Sequence, residues 1–208
     1  MESASVASGA HAHEHEHHGP PPANQSSRVD AQTLGIYLFI ISEIMLFGAF
    51  FTAYFFLWVV QGDPWPAPGT DIPVLVAAVN TAVLVSSSFT MHWATVAAKN
   101  GNRPAMRAGL FATFFLGLTF LSVQINEYVH LGFSARNLSF GSIFYSLTGL
   151  HGAHVFVGLM LLSFATIRAF RGHFGPDAKD HLGVEVPGIY WHFVDVMWII
   201  VYTTVYII

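Results

Sequence analysis

Five long apolar segments dominate this chain of 208 residues. A helix needs about 20 mainly apolar residues to cross the hydrocarbon core of a bilayer, where every backbone polar group must be bonded internally. Each of the five segments is long enough to cross once. The sequence therefore predicts an all-α membrane protein, a bundle of five transmembrane helices spanning residues 31–60, 72–98, 104–130, 140–167 and 186–208.

The composition agrees with this fold class. Charged residues make up 10 % of the chain, whereas soluble domains carry about 25 %. The absence of cysteine excludes disulfides and thiolate metal sites. Because the loops between the segments are short, we expect residues 31–208 to form one transmembrane domain.

The basic residues orient the bundle. Loops on the cytoplasmic side of a membrane carry an excess of Lys and Arg. The third loop holds only Arg136, and the other seven basic residues all fall on the opposite side of the predicted bundle: Arg28, Lys99, Arg103, Arg107, Arg168, Arg171 and Lys179. This distribution predicts a cytoplasmic N-terminus and a C-terminus outside.

Residues 1–30 form a polar segment of low complexity. Imidazoles and carboxylates alternate between His11 and His18, and a run of three prolines follows at 20–22. Such His-rich tracts can bind Zn²⁺, Cu²⁺ or Ni²⁺ weakly. We interpret the segment as a disordered cytoplasmic tail and assign it no site.

Three polar residues lie deep in the first and last segments. Glu43 follows about ten residues of apolar helix, which corresponds to roughly 15 Å of rise and a position near the middle of the bilayer. His192 and Asp195 are spaced i and i+3, so they share one helix face at a similar depth. Two interpretations stay open: Glu43 handles protons, or it joins helices by a hydrogen bond. We expect the three residues to form a polar network between the first and last helices.

Two histidines, His151 and His154, stand one turn apart in the fourth segment, close to Gly149, Gly152 and Gly158. Small residues let membrane helices approach closely, so this face is predicted to be buried against a neighbouring helix. Two imidazoles do not complete a metal site. We interpret both as core or interface histidines and predict no catalytic, cofactor-binding or metal-binding residue in the chain.

Gln124, Glu127 and Tyr128 share a face near the end of the third segment. At this depth their polar groups can reach the membrane interface, with Tyr128 as an aromatic anchor. The pattern predicts a polar network at the outer rim of the bundle.

Five local patterns occur in a fixed order and at consistent depth, and together they are specific. On these residues the sequence resembles subunit III of the haem–copper respiratory oxidases from about Leu34 to its end. The patterns are Ile41–Phe47, Asn80–Ser87, Gln124–Tyr128, His151–His154 and Trp191–Trp198.

The resemblance implies a non-catalytic subunit of an oxygen-reducing, proton-translocating complex in the bacterial cytoplasmic membrane. It implies that haems and copper reside in subunits I and II, and that this chain packs on subunit I. Family members support proton uptake, stabilise the complex during turnover and hold structural phospholipid. By resemblance, Glu43 matches the carbodiimide-reactive glutamate of the family, and His192 and Asp195 match its last-helix motif.

One departure from the family pattern concerns length. Long members have seven helices, and the first segment here matches their third, so a two-helix arm is absent. In five-helix relatives an extended subunit I often carries the missing pair. Glu43 and the Phe-rich helix after it favour a cytochrome c oxidase of aa3 or caa3 type. The alternatives are subunit III of a quinol oxidase and, more remotely, an independent proton-coupled transporter or a membrane haem carrier.

Overall fold

The computed structural model describes residues 31–62, 64–66, 70, 72–136, 139–172, 174 and 182–208. The predicted tail over residues 1–30 lies outside this described part of the chain. Five α-helices account for most of the described residues, and all five are long and apolar enough to cross a membrane. They are α1 (Ala31–Gln61), α2 (Val74–Lys99), α3 (Arg103–His130), α4 (Ser139–Phe170) and α5 (Leu182–Tyr202), the last extended by a π-helical turn (Thr203–Ile207).

These helices confirm the prediction of an all-α bundle with five spans, and no strand occurs in the described ranges. The largest difference is the start of α5 at Leu182, four residues before the predicted start. Pro187 lies inside the helix, whereas proline in a sequence usually marks a helix start or end. Here the helix continues through this proline, and its first turn contains the charged Glu185.

A tight turn joins α2 to α3. Gly101 adopts a positive φ of 68°, a conformation that other residues rarely take. The Asn102 side chain then accepts a hydrogen bond from the backbone N–H of Ala105 at 3.2 Å and caps α3. The two helices return antiparallel and pack closely, since a Cβ on Gly109 would lie 2.8 Å from the Cβ of Ala94.

The remaining contacts arrange the helices around one core. α2 packs on α3 and α5, and α4 packs on α3 and α5, so these four helices form a closed ring. α1 lies outside this ring against α4 and α5. Most of the α1 surface is apolar and exposed, as at Met45, whose exposed fraction is 72 %.

The indole of Trp191 on α5 fills the space between α3 and α4. A Cβ on Gly158 would lie 2.8 Å from Trp191 Cε3, and a Cβ on Gly117 would collide with the other edge of the same ring. The indole N–H donates to Ser87 Oγ on α2 at 2.9 Å. Trp191 is thereby completely buried and touches every other helix of the ring.

The glycines predicted to mark a close approach of α4 divide into two groups. Gly158 makes that approach, through the Trp191 ring. A Cβ on Gly152 would meet its nearest neighbour, Leu121, at the ordinary distance of 3.9 Å, and a Cβ on Gly149 would meet nothing within 4 Å. The prediction was therefore wrong for Gly149, because spacing alone does not tell which glycine faces a large side chain.

Gly158→Ala tests the slot around Trp191. We expect a destabilisation of about 1–3 kcal/mol, the usual cost of overpacking a core, because the added methyl displaces the indole. Thermal unfolding of the detergent-solubilised protein measures it as a lowered midpoint. Gly149→Ala is the matched control: the same change on the same helix enters open space and should leave the midpoint unchanged or slightly raised. Equal midpoints for the two variants would contradict the packing role of Gly158.

Candidate functional site

A buried hydrogen bond joins Glu43 on α1 to His154 on α4. Glu43 Oε2 and His154 Nε2 lie 2.9 Å apart, and the two side chains are 16 % and 10 % exposed. His154 Nδ1 lies 2.8 Å from the carbonyl oxygen of Leu150. A carbonyl only accepts, so Nδ1 carries a proton and donates it there. The bond between the imidazole and the carboxyl therefore holds one further proton.

That shared proton has two arrangements. Either the carboxyl O–H of Glu43 donates to a neutral imidazole, or an imidazolium donates to a carboxylate. Both arrangements leave the pair without net charge, which is the condition under which polar groups are tolerated in hydrocarbon. The pair can thus move a proton internally without creating a net charge at bilayer depth.

Aromatic side chains enclose the pair. The Phe47 ring lies 5.0 Å from the His154 ring, centroid to centroid, and Phe47 also contacts Phe193 on α5 at 6.4 Å. The Tyr190 hydroxyl donates to the carbonyl oxygen of His154 at 3.3 Å. α1, α4 and α5 therefore meet at this site, and the apolar surroundings strengthen the two polar contacts between them.

The predicted network of Glu43 with His192 and Asp195 is not found. His192 Nδ1 lies 2.7 Å from Ser88 Oγ on α2, whereas Glu43 bonds to α4. No hydrogen bond between described residues joins Glu43 to either of the other two. The three residues were predicted to lie at a similar depth along their helices. His192, however, points to the side of α5 that contacts α2, whereas α1 packs on α4 and on another side of α5.

A second polar cluster therefore lies between α2 and α5. Asp195 is only 4 % exposed, and neither of its carboxylate oxygens has a hydrogen-bond partner among the described residues, although the Ser88 hydroxyl is close by. His92 and His192 line a cavity of about 170 Å³ beside this cluster. Where α2 ends, Lys99 Nζ bonds Glu185 Oε1 at 3.1 Å.

His151 occupies the interior of the ring rather than the surface of α4 that faces α1. Its ring is fully buried, 4.8 Å from the Trp198 ring and 5.9 Å from the Phe120 ring. His151 and His154, one turn apart, thus have different neighbours. Within the described part of the chain, no group of three or more His, Cys, Asp or Glu side chains converges as a metal site would require.

Gln124 and Glu127 lie near the end of α3, but their side chains point into the bundle instead of reaching the interface. Their exposed fractions are 2 % and 6 %. Glu127 Oε1 accepts from the Tyr206 hydroxyl at 3.0 Å, and Tyr128 donates to Thr148 Oγ1 at 2.7 Å. Gln124 and Glu127 continue the buried face of α3, which runs from Met106 through Gly117 and Phe120. That helical spacing was visible in the sequence and would have indicated the inward direction.

Sequence reasoning also missed the hydroxyl partners of these groups. Tyr206, Thr148, Tyr190 and Ser88 each bond one of the intramembrane polar residues or their neighbours. Isolated Ser, Thr and Tyr are common in membrane helices, so none stands out. A signal exists only for Ser88, which belongs to a run of three serines at 86–88.

Known proteins match this chain over most of its length. The family model described as Cytochrome c oxidase subunit III matches residues 23–208. Cytochrome c oxidase subunit 3 of Thermostichus vulcanus is 42 % identical over 180 residues, which cover 86 % of this chain and 88 % of that protein. The corresponding protein of Synechocystis sp. is 38 % identical over 181 residues, 86 % of this chain and 76 % of the relative. Cytochrome c oxidase subunit 3 of Rattus norvegicus is 38 % identical over 178 residues, 83 % of this chain and 67 % of the relative.

The chain belongs to the cytochrome c oxidase subunit III family. The match takes in all five helices, so the resemblance inferred from the five sequence patterns is confirmed. The chain is accordingly a multi-pass membrane subunit of a respiratory oxidase complex. In this subunit III the last-helix motif that includes His192 and Asp195 packs on α2, and the glutamate of α1 pairs with α4.

Glu43→Gln should abolish labelling of this subunit by a hydrophobic carbodiimide, because the reagent activates carboxyl groups and not amides. The glutamine N–H can still donate to His154 Nε2, so we expect the stability to change by no more than about 1 kcal/mol. Mass spectrometry of the labelled subunit measures the first effect and thermal unfolding the second. The control Glu127→Gln should keep full labelling. Unchanged labelling of the Glu43 variant would show that a different carboxyl group reacts with the reagent.

Proposed function

We propose that this chain is the accessory, non-catalytic subunit III of a proton-pumping haem–copper cytochrome c oxidase of aa3 or caa3 type in a bacterial cytoplasmic membrane. In this proposal the haems and copper belong to subunits I and II, and the chain packs on subunit I. The names of its relatives support cytochrome c as the electron donor. Relatives from Rickettsia and from cyanobacteria support a location in a bacterial membrane. A bound structural phospholipid is part of the same proposal.

The orientation follows from the charges at the helix ends. Lys99, Arg103 and Arg107 lie at the turn between α2 and α3, and Arg168 and Arg171 lie at the end of α4. Loops of this composition stay in the cytoplasm. The N-terminus of α1 is on the same side, and Glu43 is twelve residues, about 18 Å of helical rise, along α1 from Ala31.

The observation that carries the functional proposal is the bond between Glu43 and His154. It keeps a titratable carboxyl and an imidazole at bilayer depth with one proton between them. The pair exchanges a proton with its surroundings only when a donor or acceptor approaches, because any net gain or loss leaves a charge in hydrocarbon. Part of the Glu43 side chain stays exposed. In this proposal protons reach and leave the pair at that exposed part, and in this way the pair supports proton uptake in subunit I.

Isolation from native membranes in mild detergent tests the assignment to a complex. We expect the chain to co-purify with a haem-bearing subunit I and a copper-type subunit II, identified by mass spectrometry and by a reduced-minus-oxidised haem spectrum. Turnover with reduced cytochrome c but not with a quinol would support the proposed donor. A haem-free chain that elutes alone would overturn the assignment, and quinol oxidation would move it to the quinol branch.

Glu43→Gln in the assembled oxidase tests the proton role. The variant keeps the helix contact but cannot release or take the shared proton, so we expect normal assembly, slower proton uptake and a shorter turnover lifetime. The matched control is Glu185→Gln, since Glu185 is a partly exposed carboxyl that bonds Lys99 at the membrane edge. Proton uptake and lifetime equal to wild type in the Glu43 variant would reduce the pair to a structural contact.

A further inference from the structure

The half of the bundle that contains the loop between α3 and α4 holds a concentration of buried polar atoms without partners. Four side chains, Asn80, Gln124, Glu127 and His151, have exposed fractions between 0 and 6 %. Within the described ranges, Asn80 Oδ1, both terminal atoms of Gln124, Glu127 Oε2 and both ring nitrogens of His151 have no hydrogen-bond partner, although the hydroxyls of Tyr128 and Tyr206 lie close to the Gln124 amide. Buried polar groups in native proteins are almost always paired, so this concentration requires a cause.

These side chains lie on one path through the ring. Asn80 Nδ2 donates to the carbonyl oxygen of Phe120 at 3.1 Å, and the Phe120 ring lies against the His151 ring. α3 and α4 run antiparallel. Since Tyr128 bonds Thr148 and Gly117 faces Leu159, Gln124 stands level with Gly152, the residue that follows His151 on α4.

Glu127 ends the path. Its Oε1 accepts from Tyr206, which leaves Oε2 without a partner. Glu127 also lines a cavity of about 230 Å³ between α2 and α3, together with Asn126 and His130 at the end of α3. From Phe120 to Glu127 the path extends about 10 Å along the helix, and this cavity gives it an opening near the membrane boundary.

The chemistry and the enclosure restrict what can fill the path. Side chains of another subunit cannot reach His151 or Gln124, because the helices of this chain surround both. The amide of Gln124 and a neutral imidazole each need a donor and an acceptor at once. Water supplies both, is small enough, and typically makes about three hydrogen bonds at buried sites of this kind.

We propose that ordered internal water molecules occupy this path and link Asn80, His151, Gln124 and Glu127 into one hydrogen-bonded column that opens at the cavity beside Glu127. The column is separate from the bond between Glu43 and His154, which faces α1. It gives this half of the subunit a hydrated interior and supplies the partners that the protein itself does not provide.

Radiolytic hydroxyl labelling of the whole oxidase in ¹⁸O-water tests the column, because radicals formed from bound water modify the side chains beside it. We expect Tyr206 to be labelled faster than Tyr190. Tyr190 is the internal reference, since it is also buried but lies beside the bond between Glu43 and His154, away from the proposed column. Equal labelling of the two tyrosines would overturn the proposal.

Gln124→Leu supplies a second measurement. It removes two of the unpaired atoms at nearly constant volume. With water in place, the variant should lower the labelling of Tyr206 to that of Tyr190 and lower the unfolding temperature, since the waters lose a bridge. A dry cluster predicts the opposite: unchanged labelling and a raised unfolding temperature, because two unsatisfied buried atoms are gone. Gln61→Leu, at the exposed end of α1, is the control for the substitution itself.

Discussion

The slot that Gly117 and Gly158 leave for the Trp191 indole fixes the position of α5 in the bundle. Apolar helices gain little from burying more apolar surface when the solvent is itself hydrocarbon, so packing and interhelical hydrogen bonds decide how they assemble. Trp191 provides both, because its ring fills the slot and its N–H bonds Ser87 on α2. Seven residues later, Trp198 repeats the pattern with a bond to Thr81 Oγ1 at 2.8 Å. These two tryptophans thus fix how α5 is aligned along α2.

α1 is held by a different kind of contact. It lies outside the ring and has no counterpart of the Trp191 slot, and most of its surface is exposed. Its fully buried side chains among the described residues are Phe47 and Tyr54, and Tyr54 accepts from the Trp65 indole at 3.2 Å. Partly buried apolar side chains of α1 pack beside them on the core, and Glu43 bonds His154. One polar bond inside hydrocarbon, worth about 1 kcal/mol, therefore adds to the apolar packing that attaches this helix. The same residues that hold a proton between them also hold α1 on the bundle.

The number of helices, their bounds within a few residues and the family followed from the sequence, because the need to satisfy backbone groups in hydrocarbon leaves a long apolar run few alternatives. The partners of the polar residues did not follow. Distance along a helix follows from residue number, and Glu43 lies twelve residues from the start of α1. The direction in which a side chain points can be predicted when a helix has one polar and one apolar face. Helices that are apolar all round have no such difference between faces. For this reason Glu43 was assigned to α5 instead of α4. For Gln124 and Glu127 a signal did exist, because they continue the helical spacing of the small and apolar residues at 109, 113, 117 and 120 on the buried face of α3.

Two of the family patterns are the two sides of one interface. The stretch Asn80–Ser87 lies on α2 and the stretch Trp191–Trp198 on α5. Trp198 donates to Thr81, Trp191 donates to Ser87, and His192 bonds Ser88, the residue that follows the first stretch. Indole and imidazole groups on one helix thus meet hydroxyls on the other at two levels, about two turns apart. A hydroxyl is the small polar group that can accept from an indole without separating the backbones. The packing of α5 on α2 therefore explains these two sequence patterns. The pair of Glu43 and His154, which supports the proposed proton role, lies on the other side of α5.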